Sequence, residues 1–195
     1  MDTTDACGLD GADMQRLAGG HDAALNDLMA RHALPVFQFL CRMLGNEDDA
    51  NDLAQETFLR VYQHRARFKP GARFTTWLYT IAANLARNHH RWLARHPNVS
   101  LDAENETTGQ SIGEALPAHD PAPDGIAIAT ERAAAVRAAV AALPADMREV
   151  IILCEWQDLS SAEAAAILET TPKAIDNRLY RARSLLRDRL KKWLQ

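Results

Sequence analysis

The chain has 195 residues, of which 47% are hydrophobic, and its formal net charge at neutral pH is −4. This length suits one large or two small globular domains, and glycine and proline are sparse outside one stretch, which favours an all-helical fold. The first residues are acidic and polar and no apolar run approaches membrane-spanning length, so we expect neither a signal peptide nor membrane insertion.

The sequence carries none of the common signatures of catalysis. Cys7, Cys41 and Cys154 are widely spaced and give no disulfide framework or metal-ligand pair. His89 and His90 are adjacent, so they point to different faces of a helix and do not form a metal pair. Neither a glycine-rich phosphate loop nor a nucleophile elbow is present. We therefore expect a reduced, cytoplasmic protein without cofactor or metal, and not an enzyme.

Charge is distributed in four blocks of alternating sign. Residues 1–56 carry 11 acids and 3 bases, whereas residues 57–101 carry 8 bases and no acid. Residues 102–169 carry 13 acids and 3 bases, and residues 170–195 carry 8 bases and 2 acids. One explanation is solvated helix faces of either sign. The long run without acids favours the other explanation, a positive surface for a polyanion.

Residues 12–96 predict an N-terminal helical domain. A first helix over about 22–44 ends at Gly45, a favourable C-terminal cap, and Pro35 should kink or interrupt it. A second helix begins at Asn46, followed by three acids that suit the helix dipole. A third helix, over about 75–95, is predicted to bury Leu78, Ile81, Leu85 and Trp92.

The second helix has two contrasting faces. The spacing of apolar residues predicts that one face is buried, comprising Ala50, Leu53, Ala54, Thr57 and Val61. The opposite face is acidic and polar but includes one leucine; it comprises Asp52, Gln55, Glu56, Leu59 and Gln63.

Residues 97–128 are rich in proline, glycine and acids, and predict a flexible linker. A second helical domain is predicted over 129–195. Ser160 and Glu163 have capping-box spacing at the start of a short helix, and Pro172 suits the first position of a long final helix.

The last two helices have the pattern of a helix-turn-helix, in which the second helix enters a major groove. Residues near its start would reach base edges: Lys173, Asp176, Asn177 and Arg178. Residues further along would contact phosphates: Arg181, Arg183 and Arg187. An ordinary helical hairpin with a basic solvent face is the alternative.

The first basic block also contains aromatic residues, a mixture that suits single-stranded nucleic acid because bases stack on rings. The alternative is that the rings are core residues. For Trp77 and Trp92 the helical spacing favours the core. For Phe74 and the Lys69–Phe74 turn both explanations stay open.

Four motifs together resemble a known family. They are DLAQETF at 52–58, FTTWLYTIAAN at 74–84, LPADMREV at 143–150 and NRLYRAR at 177–183. In this order they resemble bacterial RNA polymerase sigma factors of the extracytoplasmic-function (ECF) group, within the sigma-70 family, over most of residues 20–195.

The resemblance implies an alternative sigma factor that binds core polymerase, through its β′ and β subunits, and promoter DNA. It implies three sets of site residues. The set for polymerase is Asp52, Gln55, Glu56 and Leu59. The set for the melted −10 element is Lys69, Arg73, Phe74, Thr80, Asn84, Arg87 and Arg91. The set for the −35 duplex is Lys173, Asp176, Asn177, Arg178, Tyr180, Arg181, Arg183 and Arg187. It further implies control by an anti-sigma factor.

Asp176 departs from the family pattern, in which this position is often basic or neutral. The carboxylate could accept from a cytosine amino group, or it could repel phosphate and weaken binding. The sequence does not choose between them.

Two other classes of protein compete with this interpretation. A conventional repressor or activator would use the helix-turn-helix and would bind duplex DNA without polymerase. An anti-sigma or other adaptor protein fits the acidic faces but leaves both basic blocks unexplained.

Overall fold

The computed structural model of the protein describes the backbone of residues 3–96 and 123–193, and the side chains of residues 8–96 and 131–193. Within these ranges the chain is helical and has no β-strand, which confirms the predicted all-α class. It forms two compact units, one on each side of the predicted linker. Linker residues 97–122 lie outside the described residues.

The N-terminal unit consists of four α-helices. They are α1 (Thr3–Ala18), α2 (Ala23–Leu44), α3 (Glu47–Gln63) and α4 (Phe74–Arg95), with a short 3-10 turn at Arg65–Arg67. Helices α2, α3 and α4 pack on one another around a core that includes Leu28, Val36, Phe39, Leu40, Phe58, Val61, Leu78 and Tyr79. None of the described helices is long and apolar enough to cross a bilayer.

Local signals set the junction of α2 and α3 as predicted. Gly45 adopts a left-handed conformation (φ +75°), and its N–H donates to the Cys41 carbonyl at 2.9 Å. The Asn46 side chain then caps α3 by accepting from the N–H groups of Asp48 and Asp49, at 2.8 and 3.1 Å. Pro35 lies inside α2, which continues through it as one helix. The predicted interruption at Pro35 therefore does not occur.

Helix α1 begins before the predicted start of the domain and packs on α2 and α4. Met14 and Leu17 are fully buried, and Asp10 is only 2% exposed. Arg31 of α2 donates to Asp10 at 2.9 Å and to Asp13 at 2.6 Å. Two acids of the negative block at residues 1–56, Asp10 and Asp13, therefore attach α1 to α2.

The C-terminal unit consists of α5 (Pro123–Ala141), α6 (Ala145–Ile151), α7 (Ser161–Ile167) and α8 (Pro172–Arg189). A π-helical segment, Ile152–Trp156, continues α6, and a 3-10 turn, Lys191–Trp193, follows α8. Helix α5 starts inside the predicted linker. The core of the unit includes Val140, Leu143, Val150, Ile151, Leu153, Ile167, Ile175, Leu179 and Ala182.

The turn between α7 and α8 is set by capping at both ends. The predicted capping box is present: Ser160 and Glu163 bond reciprocally at the start of α7. Glu169 follows α7 in a left-handed conformation (φ +51°), and the Thr170 N–H donates to the Ala165 carbonyl at 3.0 Å. Thr171 then caps α8, with Pro172 in its first turn. These contacts fix the geometry of a helix-turn-helix.

Candidate nucleic-acid interface

Helix α3 presents the mixed face that the sequence predicted. Asp52 and Gln55 are exposed, and Leu59 is 48% exposed, so this face carries one apolar side chain among polar ones. Glu56 is partly exposed and accepts from Arg60 at 2.8 Å. We call these four residues, Asp52, Gln55, Glu56 and Leu59, the acidic face of α3.

The turn before α4 is built on a cluster of rings. Phe74 is only 2% exposed, and its ring centroid lies 5.2 Å from that of His32 and 6.2 Å from that of Phe68. Trp77 is half-buried and packs on Phe68 at 5.4 Å. Phe74 was included among the predicted −10 contacts; its burial removes it from that set. It is a core residue because it begins α4 and faces inward against α2.

The turn itself, Lys69–Arg73, is exposed and carries both predicted cations, Lys69 and Arg73. We call it the basic turn. The half-buried ring of Phe68 and the buried ring of Phe74 lie on either side of it, with centroids 6.2 Å apart, so they fix its two ends while Lys69 and Arg73 stay exposed.

The outer side of α4 continues from the basic turn. Thr80 donates to the Thr76 carbonyl at 2.7 Å, and Asn84 is half-buried. Arg87 donates to the Ala83 carbonyl at 3.3 Å, and Arg91 is exposed and donates to Asn88 at 2.6 Å. These four predicted −10 residues, two polar and two basic, lie along one side of the helix, each about one turn from the next.

Two residues predicted for the core of α4 are not buried there. Trp92 is 39% exposed, and its ring stacks on that of His96, with centroids 4.9 Å apart. Ile81 is only half-buried. The prediction for Trp92 was wrong: its spacing is that of a core residue, but among the described residues no helix covers the last turns of α4 as completely as the first.

In the C-terminal unit, α8 presents a solvent-facing surface with the predicted cations. Lys173, Asn177 and Arg181 are exposed, and Tyr180 is 77% exposed. Arg187 is exposed nearly two turns further along. We call these five residues the recognition face of α8. The buried side of the same helix is held by Ile175, Leu179 and Ala182.

Two predicted DNA-binding arginines lie at the flanks of α8 and pair within the protein. Arg178 contacts Asp146 at 3.5 Å. Arg183 contacts one oxygen of Glu155, on the π-helical segment, through Nε at 2.9 Å and through Nη2 at 2.5 Å. A phosphate would have to compete with these carboxylates. Charge counting could not reveal the pairing, since Glu155 is far from Arg183 in sequence.

Asp176 also has a partner inside the unit. The Ser161 hydroxyl, at the start of α7, donates to Asp176 Oδ1 at 2.5 Å. Asp176 lies beside Tyr180, Arg183 and Arg187 along a shallow groove of about 300 Å³ on α8. A second, apolar groove between the π-helical segment and α8 was not predicted; it is lined by Ile151, Trp156, Leu186 and Leu190, among others.

The two cysteines whose side chains the structure describes, Cys41 and Cys154, are partly buried. Burial, and secondarily the charge of Glu47, raise the pKa of the Cys41 thiol to about 11. Burial also raises the pKa of Cys154. Both thiols are therefore protonated at neutral pH and poor nucleophiles. Throughout 8–96 and 131–193, no three His, Cys, Asp or Glu side chains converge as metal ligands.

Family comparisons match both units. The family model described as Sigma-70 region 2 matches residues 28–96. The model described as Sigma-70, region 4 matches residues 133–186. The first match covers most of α2 and all of α3, the basic turn and α4. The second covers the helix-turn-helix.

Curated relatives align with nearly the whole chain. The RNA polymerase sigma factor CarQ of Myxococcus xanthus is 37% identical over 177 residues, which cover 91% of this chain and 95% of the relative. The ECF RNA polymerase sigma factor SigE of Mycolicibacterium smegmatis is 34% identical over 90% of this chain, and the alignment spans 66% of that longer protein.

Solved structures show the same fold. CnrH in complex with the cytosolic domain of CnrY matches with a TM-score of 0.69 at 26% identity, covering 94% of this chain and 98% of the other. The sigma factor RpoE of Bartonella quintana, in complex with the anti-sigma factor NepR, matches with a TM-score of 0.66 at 26% identity, covering 85% and 96%.

Proposed function

Because this chain belongs to the sigma-70 family, in its ECF group, we propose that it binds core RNA polymerase and directs transcription initiation at promoters with matching −10 and −35 elements. The observation that carries the proposal is the order of two family regions, one on each helical unit, each with its own exposed cation-bearing surface. On this proposal the chain supplies promoter recognition to the polymerase and has no catalytic activity of its own.

The acidic face of α3 is the proposed polymerase-binding surface. An exposed leucine beside carboxylates suits a basic helical partner: charge steers the encounter, and the apolar side chain anchors the complex. A face that was merely solvated would account for Asp52 and Glu56 but not for the half-exposed Leu59. The expected partner for this face is the β′ subunit, and the β subunit completes the contact with core.

The basic turn and the outer side of α4 are the proposed −10 surface. Lys69, Arg73, Arg87 and Arg91 supply positive charge for a backbone, and Thr80 and Asn84 supply groups that can hydrogen-bond a base. The packed rings of Phe68, Phe74 and Trp77 support the turn, so the surface is formed before DNA arrives. Preformed surfaces lose less conformational entropy on binding.

The recognition face of α8 is the proposed −35 surface. Residues at the start of a recognition helix reach base edges in the major groove, and cations further along contact phosphates. Lys173 and Asn177 are placed for the first task and Arg181 and Arg187 for the second. Arg178 and Arg183 take part only if DNA displaces their carboxylate partners.

An anti-sigma partner is the proposed means of control. Two structures similar to this chain are complexes of CnrH with the cytosolic domain of CnrY and of a sigma factor with the anti-sigma factor NepR. The exposed Leu59 and the apolar groove beside α8 are surfaces that such a partner could cover. Since its targets are polymerase and promoter DNA, the proposed site of action is the cytoplasm.

Transcription in vitro tests the proposal. Purified chain and core polymerase, mixed with a library of genomic fragments, should produce transcripts whose start sites share upstream elements that core alone does not use. Duplex −35 DNA should bind weakly to the free chain and specifically to the holoenzyme. Tight, specific duplex binding by the chain alone, with no transcripts when core is added, would instead indicate a conventional repressor or activator.

A further inference from the structure

Asp176 is the one acid at the base-reading end of α8. The other acid of the final basic block, Asp188, lies near the end of the helix and is 3.7 Å from Lys191. Asp176 is exposed within the first two turns, among Lys173, Asn177 and Tyr180. An anion at this place repels the DNA backbone, so it must either weaken binding generally or face a hydrogen-bond donor in the groove.

The contact with Ser161 favours the second role. The Ser161 hydroxyl donates to one carboxylate oxygen, Oδ1, at 2.5 Å. Ser161 itself is the first residue of α7 and lies inside the capping box, between Ser160 and Glu163, so its backbone is fixed. A hydroxyl donor orients the carboxylate without neutralising it. The second oxygen, Oδ2, keeps its charge and its capacity to accept.

The major groove offers few partners to an oriented carboxylate. Guanine presents the acceptors N7 and O6, and thymine presents the acceptor O4, so both bases oppose a negative oxygen. Cytosine presents the N4 amino group, and adenine presents the N6 amino group next to the acceptor N7. A carboxylate therefore accepts best from cytosine, because the adjacent N7 of adenine disfavours the approach of a second acceptor.

We propose that Asp176, oriented by Ser161, is a specificity-determining residue that selects cytosine at one base pair of the −35 duplex. The inference rests on the proposed function and names a base preference that the two family matches do not contain. Ser161 acts through Asp176 and is a positioning residue. Of the two alternatives that the sequence left open for Asp176, this proposal takes base recognition, and general weakening of DNA binding is the outcome that would contradict it.

Side-chain chemistry at position 176 supplies a sharp test. Holoenzyme reconstituted from core and the full chain transcribes a promoter library in which the −35 region is randomised. With the natural chain, cytosine should be enriched about tenfold over guanine at one position. Asp176→Asn should move the preference at that position to adenine, because an amide pairs with N6 and N7 of adenine. Asp176→Arg should move it to guanine, through O6 and N7.

Two further variants separate base recognition from general effects. Asp188→Asn removes the other carboxylate of α8 and should keep the cytosine preference unchanged. Ser161→Ala should keep cytosine as the preferred base while the selectivity falls about two- to threefold, since an unoriented carboxylate loses discrimination. Selectivity unchanged by Ser161→Ala would overturn the positioning role.

The inference and the proposed function fail in different ways. If the natural chain directs transcription but Asp176→Asn leaves every −35 preference unchanged, or raises transcription equally from all promoters, Asp176 does not read a base. If no combination of chain and core transcribes any library member, the proposed function itself is wrong, and the inference falls with it.

Discussion

His32 Nε2 donates to Asp10 Oδ2 at 2.9 Å, and the two side chains are only 12% and 3% exposed. The other side of the imidazole packs on Phe74, whose ring supports the basic turn. One histidine therefore connects α1, which lies before the matched family region, to the proposed −10 surface. Substitutions in α1 that remove the contact with His32 should therefore alter the proposed −10 surface.

The first prediction concerns the stability contributed by Asp10. Burial raises the pKa of Asp10, but hydrogen bonds and charges from His32 and Arg31 outweigh it, so the pKa lies below its ordinary value of 3.8. Ionised Asp10 therefore stabilises the fold above about pH 3.8, and this contribution is lost as the pH falls through the lowered folded-state pKa. Asp10→Asn should destabilise the N-terminal unit at neutral pH by about 1–3 kcal/mol.

Calorimetry of the full chain between pH 7 and pH 2 measures this effect. The difference between the natural chain and Asp10→Asn should shrink at the acid end. Asp27→Asn is the matched control, because Asp27 is about half-exposed and contacts Arg16 at 3.3 Å. Equal destabilisation by the two variants would show that the buried contacts of Asp10 stabilise the fold no more than the exposed contact of Asp27 with Arg16.

The second prediction concerns the acidic face of α3. Leu59→Ala should weaken binding to core polymerase about tenfold, since an apolar anchor is lost, and should leave the melting temperature nearly unchanged because the side chain is 48% exposed. Asp52→Ala combined with Glu56→Ala should slow association, most strongly at low salt. Gln15→Ala, which changes an exposed residue of α1 outside this face, is the control. Surface plasmon resonance with immobilised core provides both rates, and normal binding by all variants would rule out this face.

The third prediction compares two arginines of α8. Arg181 is exposed on the recognition face, whereas Arg183 pairs with Glu155. Arg181→Ala should weaken holoenzyme binding to −35 duplex roughly threefold to tenfold, without changing the preferred sequence. Arg183→Ala should have a smaller effect because its charge is already engaged. Fluorescence anisotropy of labelled promoter DNA measures both, and the reverse order of effects would mean that the pair opens on binding.

The fourth prediction concerns the turn of the helix-turn-helix. Glu169 has φ +51°, a conformation that costs a residue with a Cβ about 1 kcal/mol. Glu169→Gly should therefore stabilise the C-terminal unit by about 0.5–1 kcal/mol. Glu169→Ala controls for loss of the charge and should not stabilise. Urea unfolding of the full chain, followed by hydrogen exchange of α7 and α8 amides, provides the comparison.

Features set by neighbouring residues were predictable from sequence. The cap at Gly45, the capping box at Ser160 and the position of Pro172 all depend on backbone groups within a few residues, and all three are confirmed. The motifs also identified the family, which the comparisons confirm. The predicted domain limits, 12–96 and 129–195, and the contact residues other than the buried Phe74 stay predictions.

Features that depend on distant elements were not predictable. Phe74 was left open between DNA and core, and its burial depends on His32 and Phe68. Trp92 has core spacing but lies where α4 is less covered. The pairing of Arg183 with Glu155 requires the π-helical segment to place a carboxylate beside α8. In each case the sequence pattern predicts on which face of its helix the residue lies, but the tertiary packing determines which residues it contacts.

The pairing of Glu155 with Arg183 changes how salt should act on this protein. A bare arginine that binds DNA lets the polymer release a condensed cation, and each such release steepens the dependence of affinity on ionic strength. Arg183 already pairs with Glu155, so on binding DNA it exchanges a carboxylate for a phosphate. The net release of cations is therefore smaller than for an unpaired arginine. The basic block at 170–195 should therefore behave, in a titration with potassium chloride, as if it held fewer cations than its 8 bases.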